Sequence, residues 1–153
     1  MARKTAKRPP TAVSFRLMLA AIVAISAVEA ALAAFGMVPP VLSYSPANFL
    51  FAIARLAIVV YAGMEHAAGA AHAALRGGAL FLASSLTLCV SVFAAQGIAT
   101  HPILGVFALD NTLPALFAII VLENALVGAA IAAAVAWLSG QRFFRKSISP
   151  EKK

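Results

Sequence analysis

Acidic side chains are scarce in this chain. Five Asp or Glu stand against twelve Lys or Arg in 153 residues, and charged residues of either sign make up only 11%. So little charge cannot hold in water a chain that is 63% hydrophobic, well above the roughly 45–50% of soluble domains. The single cysteine, Cys89, excludes a disulfide framework and a cysteine metal site. There is no Gly-rich phosphate loop, no CxxC pair, and no Ser, His and Asp set at a workable spacing, so no enzyme class is indicated. The basic residues fall in two terminal clusters separated by apolar segments rather than on a surface interleaved with aromatics, which argues against a nucleic-acid partner despite a formal charge of +7.

What is present is long apolar runs. A helix crossing the ~30 Å hydrocarbon layer needs about 20 mostly apolar residues, and four stretches meet that length, at about 13–37, 47–74, 79–97 and 113–138. Pro39-Pro40 closes the first, while Arg76-Gly77-Gly78 is expected to turn the chain between the second and third. Thr112 is an N-cap candidate for the fourth, with Pro114 in its first turn. The basic start followed by an apolar run matches the order of a secretory signal. The run 17–38 is too long for a signal core, and the chain after it is equally hydrophobic, so it reads as a retained first span. The expectation is an all-α integral membrane protein: a four-transmembrane-helix bundle over 13–138, with basic tails at 1–12 and 139–153.

Lys and Arg in short loops stay on the cytoplasmic side. Arg3, Lys4, Lys7, Arg8 and Arg16 lie at the N-terminus, Arg142, Arg145, Lys146, Lys152 and Lys153 at the C-terminus, and Arg76 at the expected inner turn. The stretches 38–46 and 98–112 carry no Lys or Arg. Both termini are therefore expected in the cytoplasm of a cell or inner membrane, with Arg55 alone left inside the bilayer. The second outer stretch is apolar enough to lie in the interface, or else it is a plain apolar linker. A weak echo, Ala33-Ala34-Phe35-Gly36-Met37 with Ala94-Ala95-Gln96-Gly97-Ile98 and Phe51-Ala52-Ile53 with Phe117-Ala118-Ile119, admits two tandem helical hairpins about an axis along the membrane normal. Chance similarity in Ala-rich helices is its rival.

Membrane helices pack through small residues and interhelical polar contacts. Candidates for close packing are 67–71, Ala30-Ala31, Ala33-Ala34, Gly128-Ala129-Ala130 and Ala132-Ala133-Ala134. Ser84, Ser85, Thr87 and Ser91 either bond across to a neighbour or back to their own i−4 carbonyls.

An ionisable group within a span costs about 2.5–3.5 kcal/mol on insertion scales, so it marks function or a structural pair. Three qualify. At a ~1.5 Å rise per residue, Glu29 and Arg55 fall ~20 Å and Glu123 ~15 Å from the inner boundary, a shared depth on three helices. One reading is a buried ion pair, with Arg55 bridging one or both acids and fixing register. The other is a proton or ion site, because two carboxylates share one arginine. Asn124 and Ser26 would add neutral ligands, or serve as ordinary packing residues.

Secondary candidates are Glu65, His66 and His72 near the inner end of the second span. The i, i+6 histidine spacing does not supply a metal pair on one helix face, and interfacial histidines are the plainer reading. His101 in the outer stretch has no visible partner. Ile53-Ala54-Arg55 and Gln96-Gly97 resemble strings in half of a haem A synthase, but Ala54 and apolar residues stand where that family's histidines would be. No cofactor and no metal are expected.

Two functions from different classes fit these residues. One is a proton- or ion-coupled transport protein built on Glu29, Arg55 and Glu123. Four helices make a thin wall around a path, so it would work as an oligomer, most simply of the chain itself. The other is a non-catalytic subunit or assembly factor of a larger membrane complex, with the charges locking the packing. The partners are the lipid bilayer and either further copies or other membrane subunits.

Overall fold

The computed structural model describes residues 13–43, 45–65, 69–95, 98–101, 103 and 113–148. Among these residues there are four α-helices and no strand: α1 (Phe15–Ala34), α2 (Pro46–Met64), α3 (Ala70–Ala94) and α4 (Leu113–Ile148). All four are long and apolar enough to cross a membrane. The end of the bundle where α1 begins is called basal, and the opposite end distal. Local signals set the starts. Ser14 caps α1 by accepting from the Leu17 N–H at 3.3 Å, and Ser45 caps α2 by accepting from the Asn48 N–H at 3.2 Å, with Pro46 in the first turn.

Four boundaries differ clearly from expectation. The first helix stops at Ala34, because Gly36 adopts φ +70° and closes a Schellman motif. In it, Gly36 N–H donates to Ala33 O at 3.0 Å and Met37 N–H to Leu32 O at 2.9 Å. The second helix stops at Met64 rather than 74, and α3 starts after Gly69 at φ +94°. Arg76-Gly77-Gly78 therefore lies inside α3 and makes no turn. Those glycines are packing surfaces: a β-carbon on Gly77 would fall on the Gly128 carbonyl oxygen, and one on Gly78 would come 3.2 Å from that of Ala125. The fourth helix continues to Ile148, so the expected tail at 139–153 begins as helix. The interfacial placement expected for 98–112 falls mostly outside the described residues, as do His66, Gln96 and Gly97.

The helices form a rhombus. The most extensive contact joins α3 to α4, α2 and α3 also meet each other, and no Cα of α1 comes within 8 Å of one in α4. A two-fold axis relating hairpins α1–α2 and α3–α4 would turn the α2–α3 contact into an α4–α1 contact. That contact is absent among the described residues, so the sequence echo has no counterpart in the packing. Two apolar layers fill the interior: Met18, Ile22, Val59, Ala62, Ala73, Leu80 and Ala132 on the basal side, and Ala30, Ala33, Ala34, Cys89, Ile103 and Phe117 on the distal side. Between them lies a polar layer.

Candidate functional site: a buried ion pair beside a cavity

The buried face of α1 runs Met18, Ile22, Ser26, Glu29, Ala30, Ala33, a stripe at helical spacing that carries two polar groups into the bundle. Glu29 is fully buried, and its Oε2 meets Arg55 Nη1 of α2 at 2.6 Å. The contact is charge against charge rather than an aligned hydrogen bond, and Glu29 Oε1 is buried with no hydrogen-bond partner among the described residues. One turn basal, Ser26 Oγ bonds Ile22 O at 2.9 Å and Ser84 Oγ of α3 at 2.7 Å. Ser84 is thus the α3 hydroxyl that crosses to a neighbour, while Ser85, Thr87 and Ser91 bond back to their i−4 carbonyls. Ser84 was legible as the next step of the buried α3 series Ala73, Gly77, Leu80.

Arg55 also borders a cavity of about 230 Å³ between α2, α3, α4 and the α1–α2 connection at Val41 and Leu42, whose wall includes Ser84, Ser85, Cys89 and Asn124. Asn124 Nδ2 donates to Ile120 O at 2.9 Å, leaving its carbonyl oxygen available. The guanidinium therefore has an acid on one side and, beside it, a partly open, mainly apolar cavity edged by hydroxyl and amide groups. Arg55 is the charged side chain on its wall.

Glu123 is not part of this layer. It lies at the depth of its neighbour Asn124, but a step of one residue turns ~100° around a helix, and it sits on the exposed face of α4 with Ile119, Leu122, Leu126 and Val127. The structure thus brings Glu29 and Arg55 together, adds Asn124 across the cavity, and keeps Glu123 outside.

Glu65 has a basal post instead: its Oε1 accepts from the Val13 N–H at 2.9 Å and from Tyr61 Oη at 2.7 Å, tying the start of α1 to the end of α2. His72 is exposed in the first turn of α3. His101 is seated on Gly36, with Nδ1 3.0 Å from Thr100 Oγ1. Among the described residues, no group of three or more His, Cys, Asp or Glu comes together to hold a metal. Comparison with family models, with curated proteins and with solved structures finds no match.

Proposed function

We propose that the chain is a multi-pass protein of a cell or inner membrane, with both termini cytoplasmic, that carries a small anion together with a proton through the cavity beside Arg55. The orientation rests on the distribution of Lys and Arg. Arg76 supports it, since its guanidinium lies 5.4 Å over the ring of Phe15 at the basal end. The observation that supports the transport reading is the position of Arg55, paired with Glu29 and bordering a partly open cavity whose mainly apolar wall also carries hydroxyl and amide groups. An anion entering that space competes with Glu29 for the guanidinium. The released carboxylate then takes up a proton, so anion and proton load together with no net change of charge. In place of the two-acid site expected from sequence, one acid is exchanged against the solute.

The test uses full-length protein in liposomes holding a pH-sensitive dye, challenged with gradients of phosphate or sulfate, whose acids do not cross lipid unaided. The expected result is internal acidification driven by at least one of these anions, and its loss in the Glu29→Leu/Arg55→Leu double variant, which keeps the fold because both charges leave together. Equal uptake by wild type and a folded double variant would sink this reading.

A second reading, a non-catalytic subunit or assembly factor of a larger membrane complex, is favoured by the exposure of Glu123 on an apolar face. Purification in mild detergent with the native mass recorded distinguishes it: stoichiometric recovery with other membrane proteins would replace the transport reading.

A further inference from the structure

The wall of the cavity beside Arg55 can be read donor by donor. A hydroxyl has one proton to give. Ser26 gives its proton to Ile22 O, so in the Ser26–Ser84 pair Ser84 is the donor, and Ser85 gives its proton to Phe81 O. Both serines on the wall therefore have lone pairs to offer and no proton. Asn124 spends one N–H on Ile120 O. What is left to donate is the second Asn124 N–H, the weak Cys89 S–H and the Arg55 guanidinium, whose partner among the described residues is Glu29 through Nη1. Most of the remaining wall is apolar, with Ala52, Phe81, Leu88 and Ile120 in it. We infer that this site selects a monocarboxylate with a compact apolar body over inorganic oxyanions.

The donors decide the charged end of the ligand. A carboxylate has two oxygens, and a planar guanidinium can meet both with parallel N–H bonds. Phosphate and sulfate bring four oxygens each, and a wall that offers lone pairs from Ser84, Ser85 and the Asn124 carbonyl leaves some of them without a donor, which costs free energy in a site withdrawn from water. A monocarboxylate also brings the single charge that Glu29 gives up at the arginine, so the exchange closes with one proton. The apolar wall decides the other end, since each methylene taken from water onto such a surface strengthens binding about fourfold. Size sets the limit. An apolar cavity of about 150 Å³ takes benzene, so about 230 Å³ holds a body of ring size together with its carboxyl.

This inference names the substrate class of the transport reading and rests on the same cavity, so its test measures binding without flux. Full-length protein in lipid nanodiscs is equilibrated with radiolabelled benzoate, with empty nanodiscs as the blank, and unlabelled solutes are added as displacers. From acetate to butyrate to hexanoate, displacement is expected to strengthen about fourfold per methylene. Phosphate and sulfate should displace less well than acetate, and benzyl alcohol, which keeps the ring and lacks the charge, at least about tenfold less well than benzoate. Ala52→Leu, which narrows the cavity from its exposed side, should weaken benzoate about tenfold and leave acetate in place. The folded Glu29→Leu/Arg55→Leu double variant should bind no benzoate. Absence of benzoate binding in the wild type, binding that survives in the double variant, displacement indifferent to chain length or to Ala52→Leu, or phosphate ahead of butyrate would each overturn the inference. Phosphate or sulfate uptake without this ranking would remove the carboxylate preference and leave the transport reading standing, whereas the ranking without any uptake would leave the binding site and remove transport.

Discussion

The seam between α3 and α4 and the seam between α1 and α2 solve the same packing problem in opposite ways. The first is closed by absence of side chain: Gly77, Gly78, Ala125, Gly128 and Ala132 let two backbones touch, so that a β-carbon on Gly128 would lie 2.5 Å from the Gly77 carbonyl oxygen. The second is held by a charge pair, Glu29 with Arg55, and leaves an apolar groove between Val28, Leu50 and neighbouring residues on its outer side. Contact by backbone is rigid and indifferent to ligands. Under the exchange proposed for Arg55, the α1–α2 seam would respond to what enters beside it.

The contrast is broken most strongly at Arg55. Arg55→Leu strands a buried carboxylate and should cost about 3–5 kcal/mol, read as a lower thermal midpoint by circular dichroism in detergent. Adding Glu29→Leu should restore most of the loss. A double variant no more stable than the single one would show that the pair does not bind the two helices. On the other seam, Gly128→Val forces two helices apart and should cost about 1–3 kcal/mol. Gly140→Ala in the same helix meets nothing within 4 Å and should gain up to about 1 kcal/mol, so equal effects at the two glycines would refute the close-contact account. The smallest change is Ser84→Ala, which removes the hydroxyl pair with Ser26 and should cost about 0.6 kcal/mol, with the helix content unaffected.

The number of helices and the depth of the charges were legible because both depend on one-dimensional distance along the chain. Which face a residue takes was harder. On α1 the buried stripe is marked by Ser26, Ala30 and Ala33, so the inward direction of Glu29 could be read from its neighbours. On α4, Ala129, Ala130, Ala132, Ala133 and Ala134 put small residues on nearly every side, and a residue's depth says nothing of its direction. Referring positions to Gly128 would have helped: Asn124, four residues away, lies ~40° from it, whereas Glu123, five away, lies ~140° from it. Arg76-Gly77-Gly78 misled for a related reason. Glycine breaks an isolated helix, but against another helix its missing side chain is what permits the crossing, and the chain turned instead at Gly69, where φ is positive. The cavity beside Arg55 had no signature at all, because it is bounded by three helices and the α1–α2 connection, whose faces are fixed only once they pack.

The carbonyl of Ala34 at the distal end of α1 receives the N–H groups of Thr100 and His101 at 2.9 and 3.1 Å, and the Thr100 hydroxyl at 3.1 Å. The nearer of its partners, Thr100, stands 66 positions later in the chain. At synthesis rates of about 5–20 residues per second, the first helix waits several seconds for the groups that seal its end. Until α3 has been made and its last turn delivered, α1 is capped on that side only by its own glycine. Assembly of this bundle is then a matter of timing as well as affinity, and the interval before Thr100 emerges is when a chaperone or a neighbouring chain could claim the open end.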